Sequence, residues 1–284
     1  MAWDTDGHTA YTMNCSLSHC PRSLQQGATS KSLLPKRHYC ENLMRSTVAS
    51  AWWCEPLIAS AAFFFFMFFF RRFESHPYGG SGHPLTLAAV ASLFVYWLGV
   101  GLWVAIVPTP VGASSGCVHD MASLAMLAAE VLCGIISYDF VLFWLHVLMH
   151  SWPAVGKAVG HGKHHSFGDE ANWGGAFRTT NHSLVDGTLQ VLVNILVQRH
   201  TPWGAAKSKL ARWLHNVLVI EMLVESHSDS KYPRLARRWF AGVDGHAEHH
   251  RHHGPPYEQF FGYLDRLHAC VLARRSRSLR KKVE

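Results

Sequence analysis

Three long runs of apolar residues constrain the fold of this chain more than any other feature. They cover residues 50–70, 85–107 and 121–149. Each is long enough to cross a hydrocarbon layer about 30 Å thick as a helix. Glu55, Glu130 and Asp139 are the only Asp, Glu, Lys or Arg residues within them. We therefore predict an all-α integral membrane protein with about three to four transmembrane helices.

The composition and the position of the charges agree with a membrane protein. Only 16% of the residues are Asp, Glu, Lys or Arg, against about 25% in an average globular chain. Basic residues crowd the last eleven positions. Beside apolar runs, such a tail is typical of a cytosolic flank near anionic headgroups, so we do not expect nucleic acid as a partner. The seven cysteines are widely spaced and never form CxxC, so they indicate neither a disulfide framework nor a cysteine zinc site.

Two weaker apolar stretches follow, over residues 184–198 and 214–224. They are compatible with a poor crossing, a re-entrant segment or an interfacial helix. If they form a hairpin, the chain returns to the same face of the membrane, and polar segments before and after the hairpin can converge. Lys207, Lys209 and Arg212 at its tip favour a hairpin that only dips into the membrane.

Histidines are numerous and clustered. HVLMH ends the third apolar run, and HGKHH and HAEHH follow later in the chain. In HxxHH the last two histidines lie one helical turn after the first, so we expect each turn to aim three imidazoles at one point. A structural zinc site closes with four ligands, so eight or more converging imidazoles indicate two metal ions with open positions. Imidazole binds zinc, copper, iron and nickel, so the ligands alone do not choose the metal.

Residues 138–267 resemble the fatty acid hydroxylase and sterol desaturase superfamily of membrane non-haem diiron enzymes. YDFVLFWLHVLMH is similar to the family's D-x-x-x-Y-W-x-H-R-x-x-H box, GHGKHHSF to its second box and HAEHHRHHGPPYEQFFGYLDRL to its third. NHSLVDGTLQ and ESHSDSKYP resemble two further segments that each supply a histidine. The resemblance implies ten metal ligands: His146, His150, His161, His164, His165, His182, His227, His246, His249 and His250.

Four positions depart from the family pattern. Val147 stands where the first box has Arg, Phe143 where it has Tyr, Ser183 where a Pro follows the histidine, and His268 where a Gly is expected. None of these positions is an implied ligand. They indicate a divergent branch of the family.

The resemblance also implies the chemistry. Two iron ions, cycling between Fe2+ and Fe3+, would use O2 as co-substrate and electrons from an external cytochrome b5 or reductase to hydroxylate or desaturate a sterol, fatty acyl or sphingoid lipid. Metal-bound histidines commonly donate their second ring N–H to a carboxylate. Asp139, Asp186 and Asp265 are the expected partners, and Glu225 is a further candidate.

The predicted organisation has four parts: a disordered tail over residues 1–45, a transmembrane region over 46–120, a hydroxylase-like catalytic region with a helical cytosolic cap over 121–272, and a basic tail over 273–284. The loop over residues 108–120 has no Lys or Arg, which favours a position on the non-cytosolic side of the membrane. Lys281 and Lys282 resemble a dilysine retrieval signal. We therefore predict a multi-pass protein of the endoplasmic reticulum membrane with a cytosolic C-terminus.

Three alternatives stay open. Val185-Asp186-Gly187 resembles a segment of sterol C5-desaturases and favours that activity specifically. Histidine clusters also line transition-metal transporters and metal-binding scaffolds, although a transporter would place its ligands at mid-membrane rather than at span ends. An inactive relative of the enzymes would keep the same histidines.

Overall fold

The computed structural model describes residues 54–74, 87–107, 113–165, 175–228 and 242–283. The predicted disordered tail over residues 1–45 lies outside these ranges. The described residues form nine α-helices, one 3-10 helix over Ala176–Arg178 and no β-strand. The α-helices are α1 Cys54–Arg71, α2 Leu87–Ile106, α3 Met121–Ser151, α4 Pro153–Val159, α5 Gly162–His165, α6 Leu184–Val197, α7 Lys209–Ser226, α8 Gly242–His252 and α9 Tyr263–Val283.

The predicted membrane helices form where the apolar runs lie. Among the described residues, α1 and α3 are long and apolar enough to cross a membrane. Helix α2 occupies the second run and contains no charged residue, and its crossing stays a prediction. Phe65 on α1, Phe94 on α2 and Leu132 on α3 are each more than half exposed, as side chains in contact with lipid would be. The described helices thus support a membrane-associated protein.

Helix α3 is the longest element and carries the first histidine pair at its C-terminal end. It begins at Asp120, whose carboxylate accepts the backbone N–H of Ser123 while the Ser123 hydroxyl accepts the N–H of Asp120. This reciprocal pair satisfies the amide groups that a helix N-terminus leaves open. From there α3 continues for 31 residues, about 46 Å at 1.5 Å per residue.

Helices α6 and α7 form the antiparallel hairpin that the sequence suggested. Ser183 and Ser208 cap their N-termini. At the tip, the backbone N–H of Lys209 donates to the carbonyl of Ser114 at 3.0 Å, in the loop before α3. At the open end, His182 and His227 lie beside the C-terminal end of α3. The hairpin therefore runs along most of α3 and brings both histidines to one end, as predicted.

The basic residues at the hairpin tip turn inward. Lys207 is 1% exposed and its Nζ lies 3.3 Å from Nδ1 of His215. Arg212 forms an ion pair with Glu55 of α1 at 2.6 Å. Because the charges of Lys207 and Arg212 are buried and partnered, they no longer favour a shallow hairpin, and the depth of the hairpin in the membrane stays a prediction.

Apolar contacts join the helices around the hairpin. One core cluster joins α3, α6 and α7 and includes Tyr138, Val219 and Phe260. A second joins α1 and α2 to α7 and includes Phe63 and Ile220. The hairpin is therefore the central element, with α3 on one side and α1 and α2 on the other.

Candidate metal centre

Nine histidines converge in two groups at the C-terminal end of α3. The available nitrogen atoms within each group lie within 4.8 Å of one another. Group A consists of His146, His150, His161, His165 and His249. Group B consists of His164, His227, His246 and His250. Both are buried or half-buried, and a buried cluster of this size satisfies the ligand requirement of two metal ions.

The two HxxHH motifs are divided between the groups. His161 and His165 belong to group A, whereas His164 belongs to group B. His246 and His250 belong to group B, and His249 belongs to group A. Residues four apart differ by only about 40° around a helix, whereas adjacent residues differ by about 100°. The expectation that each motif aims three imidazoles at one point is therefore wrong, and each motif contributes to both groups.

Hydrogen bonds fix the tautomer of several ligands. Nδ1 of His146 lies 2.9 Å from the carbonyl oxygen of Tyr257, and Nδ1 of His249 lies 2.8 Å from that of Gly254. Nδ1 of His227 lies 2.8 Å from the carbonyl oxygen of Leu223. A carbonyl can only accept, so Nδ1 must carry the proton in each of these rings. In the neutral ring, Nε2 then presents a bare lone pair.

The Nε2 atoms of the two groups converge. Nε2 of His249 lies 3.3 Å from Nε2 of His165, which lies 3.0 Å from Nε2 of His161. In group B, Nε2 of His246 lies 3.1 Å from Nε2 of His227. Nε2 of His146 is buried without a hydrogen-bond partner among the described residues. Several imidazoles that converge on one another through Nε2 at these distances are arranged as ligands of a shared cation are, so the residues fit metal ions.

Burial lowers the pKa of three imidazoles that lie outside the membrane helices. It lowers the pKa of His227 to about 4, against the opposing hydrogen bond to the carbonyl of Leu223. It lowers the pKa of His249 to about 3, and burial with the neighbouring His227 lowers the pKa of His250 to about 2. Desolvation disfavours the charged ring. Neutral imidazole is the form that binds a metal ion, so these three rings are ready to bind at neutral pH.

The chain matches the fatty acid hydroxylase family over residues 131–270. These residues are a fatty acid hydroxylase domain. They belong to the fatty acid hydroxylase and sterol desaturase superfamily that the sequence motifs resemble, and the matched range contains all ten predicted ligands. The chain matches no curated protein and no solved structure.

His182 is the predicted ligand of the hydroxylase domain that lies outside both groups. Its ring stacks on that of His164, with centroids 4.1 Å apart and planes 11° apart. Its Nε2 lies 3.1 Å from the carbonyl oxygen of Thr179, and its Nδ1 lies 3.0 Å from Asp186. The ring thus lies beside group B, with both nitrogens engaged elsewhere.

Of the three predicted supporting acids, Asp186 touches histidines directly. Its Oδ2 accepts from Nδ1 of His161 at 3.1 Å and from Nδ1 of His182 at 3.0 Å. Burial raises the pKa of this carboxyl, but the two histidine hydrogen bonds outweigh it and hold the pKa below its ordinary value. Asp186 is therefore ionised and orients the His161 ring toward group A.

Asp139 and Asp265 support the site through a loop. Asp139 accepts the backbone N–H of Phe260 at 3.1 Å, and Asp265 accepts the N–H groups of Tyr257 and Glu258, each at 2.8 Å. This loop supplies the carbonyl of Tyr257 that orients His146. The acids are thus placed to hold the loop rather than the rings.

The carbonyls of Leu223, Gly254 and Tyr257 were not foreseen from the sequence, because main-chain acceptors carry no residue-type signal. Glu258 was also missed. It is 1% exposed, and its Oε2 accepts the N–H of Leu264 at 2.8 Å. A buried acid directly after a histidine motif could have drawn attention to it.

A cavity of about 440 Å3 lies beside the metal centre. This volume is within the usual range for a small-molecule site. Its walls are largely apolar and include Phe63, Val191 and Ile220. His182 and Gln190 line both this cavity and a space of about 20 Å3 bounded by ligands of groups A and B. These two residues therefore form the wall between the cavity and the centre of the hydroxylase domain.

Proposed function

We propose that this protein is a membrane oxygenase that oxidises a C–H bond of a lipid at a histidine-ligated diiron centre, by hydroxylation or desaturation. The observation that carries the proposal is the convergence of two groups of buried or half-buried imidazoles next to an apolar cavity, with the Nδ1 atoms of His146, His249 and His227 held by main-chain carbonyls. The hydroxylase domain supports the same reaction class.

Group A would hold one iron ion and group B the other. When bound, the two ions supply the activation of O2 that an unactivated C–H bond requires. The carbonyls of Tyr257, Gly254 and Leu223 hold the ligand rings in one orientation and one tautomer. Because the rings are already fixed, they lose little conformational freedom when a metal ion binds.

The cavity explains how a lipid could reach the centre without bulk water. Phe63, Val191 and Ile220 offer an apolar path for a hydrocarbon. At the inner wall, Gln190 donates to Asp186 at 3.3 Å, which keeps its amide beside His182. We infer that this wall sets which carbon of the lipid lies nearest to the metal ions, and hence whether an alcohol or a double bond results.

Electrons must come from a partner, because the sequence contains no haem-binding or flavin motif. We propose cytochrome b5 or a similar acidic carrier, docked on the basic C-terminal segment by charge complementarity. Cys117, in the loop before α3, is disulfide-bonded. Disulfides persist in oxidising compartments, which supports a non-cytosolic position for this loop, a cytosolic metal centre and residence in the endoplasmic reticulum membrane. Cys54, Cys133 and Cys270 are free.

Metal analysis tests the proposal. The detergent-purified chain should contain two iron ions, and Mössbauer spectroscopy should show that they are magnetically coupled. His249→Ala in group A and His164→Ala in group B should each lose iron. His252→Ala is the matched control, because this residue lies on the same helix as His249 but its side chain is 67% exposed and bonds to Glu248.

A lipid-product screen with O2 and a cytochrome b5 reducing system should then separate acyl, sphingoid and sterol oxidation. Coupled iron without any oxidised lipid would leave an inactive relative. Absence of bound metal, or a single metal untouched by His249→Ala and His164→Ala, would overturn the diiron proposal and favour a metal-binding scaffold.

A further inference from the structure

We propose that the hydroxyls of Tyr138 and Tyr96 form a polar anchor inside the cavity that binds a hydroxyl group of the lipid substrate, away from the carbon that is oxidised. The inference deepens the proposed function and rests on it for the identity of the cavity as the substrate site. The shared chemistry of the ligand is a hydrocarbon skeleton with one hydroxyl, as in a sterol or a long-chain alcohol.

The anchor consists of two hydroxyl groups in the lining of the cavity. Tyr138 of α3 is 2% exposed, Tyr96 of α2 is half-buried, and both line the cavity. Neither hydroxyl has a hydrogen-bond partner among the described residues. A hydroxyl left unpaired among largely apolar walls is unfavourable, so a ligand group that pairs with it gains affinity.

Aromatic packing fixes both phenol rings. Tyr96 meets Phe63 edge to face, with centroids 4.8 Å apart. Tyr138 packs between Phe260, at 6.1 Å, and His215, at 6.3 Å. Rings held on two helices present their hydroxyls at set positions, so a ligand needs little reorganisation of the protein to bind.

The neighbouring polar residue does not compete with the anchor. Asn194 also lines the cavity, but its side-chain oxygen accepts from His215 at 2.9 Å and from Gln198 at 3.1 Å. Its amide donates to Asn216 at 2.9 Å. The tyrosine hydroxyls therefore stay open to a ligand beside Asn194.

The position of Tyr138 sets a distance along the substrate. Tyr138 precedes the group A ligand His146 by eight residues on the same helix, which corresponds to about 12 Å along its axis. A lipid bound at the anchor therefore presents to the metal centre a carbon on the order of 12 Å from its hydroxyl. This favours oxidation remote from the polar group over oxidation next to it.

Equilibrium binding to the detergent-purified full chain tests the anchor with two pairs of probes. Tritiated cholesterol and cholest-5-ene differ only in the sterol hydroxyl, and tritiated hexadecan-1-ol and hexadecane differ only in the terminal hydroxyl. In the arm that contains the natural substrate class, we expect the hydroxylated probe to bind about tenfold more tightly than its deoxy partner, the effect of about one hydrogen bond.

Tyr138→Phe keeps the ring and removes the hydroxyl, so the fold is retained. It should bring the tenfold ratio close to one, and Tyr96→Phe should lower it partly. Tyr263→Phe is the matched control, because Tyr263 is 37% exposed and lies outside the cavity lining. It should leave the ratio unchanged.

Equal binding within both pairs, a ratio that survives Tyr138→Phe, or no saturable binding in either arm would overturn the anchor. Binding does not need iron, so this test is separate from that of the oxygenase. A hydroxyl-dependent ratio in a chain without iron would sink the proposed function and leave the anchor standing. Bound iron and lipid oxidation, together with equal affinity for the hydroxylated and deoxy probes, would support the oxygenase and overturn the anchor.

Discussion

Two buried polar clusters lie at different depths along the same helices, and they are built differently. The metal centre lies at the C-terminal end of α3 and the open end of the hairpin. The second, which we call the distal polar cluster, lies near the hairpin tip. It consists of Glu130, Asn194, Gln198, Lys207, Ser208, His215 and Asn216.

The members of the distal polar cluster contact one another as donor and acceptor. Glu130 accepts the N–H of Ser208 at 3.1 Å, Lys207 bonds to His215, and Gln198 donates to Asn216 at 2.7 Å. In the metal centre, by contrast, the Nε2 atoms of several imidazoles lie 3.0 to 3.3 Å from one another. Both clusters contain histidine. Donor–acceptor pairs between unlike side chains are typical of a structural network, whereas converging imidazole nitrogens are typical of a candidate metal site.

The largest expected effect would break the distal polar cluster. Glu130→Ala removes the acceptor of Ser208 and leaves the buried Lys207 without its neighbouring charge. We expect a loss of about 3 kcal/mol in unfolding free energy, because one buried partner remains uncompensated. Denaturation in detergent would measure it. Glu130→Gln keeps an acceptor oxygen for Ser208 and should lose less. Iron content per folded chain should not change in either variant, and a loss of iron would couple the two clusters.

The next effect concerns the metal centre. Asp186→Asn keeps the shape of the side chain but weakens the hold on the rings of His161 and His182. Such changes cost roughly 10- to 100-fold in metal affinity. Competition with a chelator would measure this. Stability of the metal-free chain should change little, and unchanged iron retention would remove Asp186 from the site.

Gly134 tests how tightly the distal polar cluster packs on α3. A Cβ at this position would lie 2.3 Å from Nζ of Lys207 and 2.7 Å from Nδ1 of His215. Gly134→Ala should therefore destabilise the chain by about 1–3 kcal/mol, as overpacking does. Gly101→Ala is the control, since a Cβ there meets nothing within 4 Å. If both variants melted at the same temperature, the close approach would be wrong.

The smallest effect compares one residue type in both clusters. Gln190 donates to Asp186 beside the metal centre, and Gln198 donates to Asn216 in the distal polar cluster. Gln190→Leu should weaken iron retention by up to about tenfold, and Gln198→Leu should instead lower stability by about 1 kcal/mol. Iron retention and unfolding free energy should both be measured for both variants. If the two variants changed these two quantities alike, the distinction between the clusters would be wrong.

Much of the site could be predicted because its signals are local. The apolar runs placed α1 and α3, and nine of the ten predicted ligands lie in groups A and B. The sequence also indicated that a hairpin between His182 and His227 would bring both histidines to one face, because an even number of crossings returns the chain to the side where it began. The crossing of α2, the count of spans and the electron donor stay predictions.

Long-range partners could not be read from the chain. The sequence does not indicate that Lys207 lies against α3 or that Arg212 pairs with Glu55, because these contacts join residues far apart in sequence. Asp139 was expected beside a histidine ring, yet its carboxylate holds the backbone of Phe260. A carboxylate binds whichever donor the packing brings to it, and packing is a property of the whole chain.

The sequence by itself determined which residues form the candidate site, since residue type and helical spacing fix how many imidazoles a turn can present. Tertiary structure decided how they are shared. His161 and His165 serve one group while His164 serves the other, because the partners on α3, α7 and α8 approach the turn from different sides. A helix sets the angles between its side chains, but only the surrounding helices decide where those side chains meet their partners.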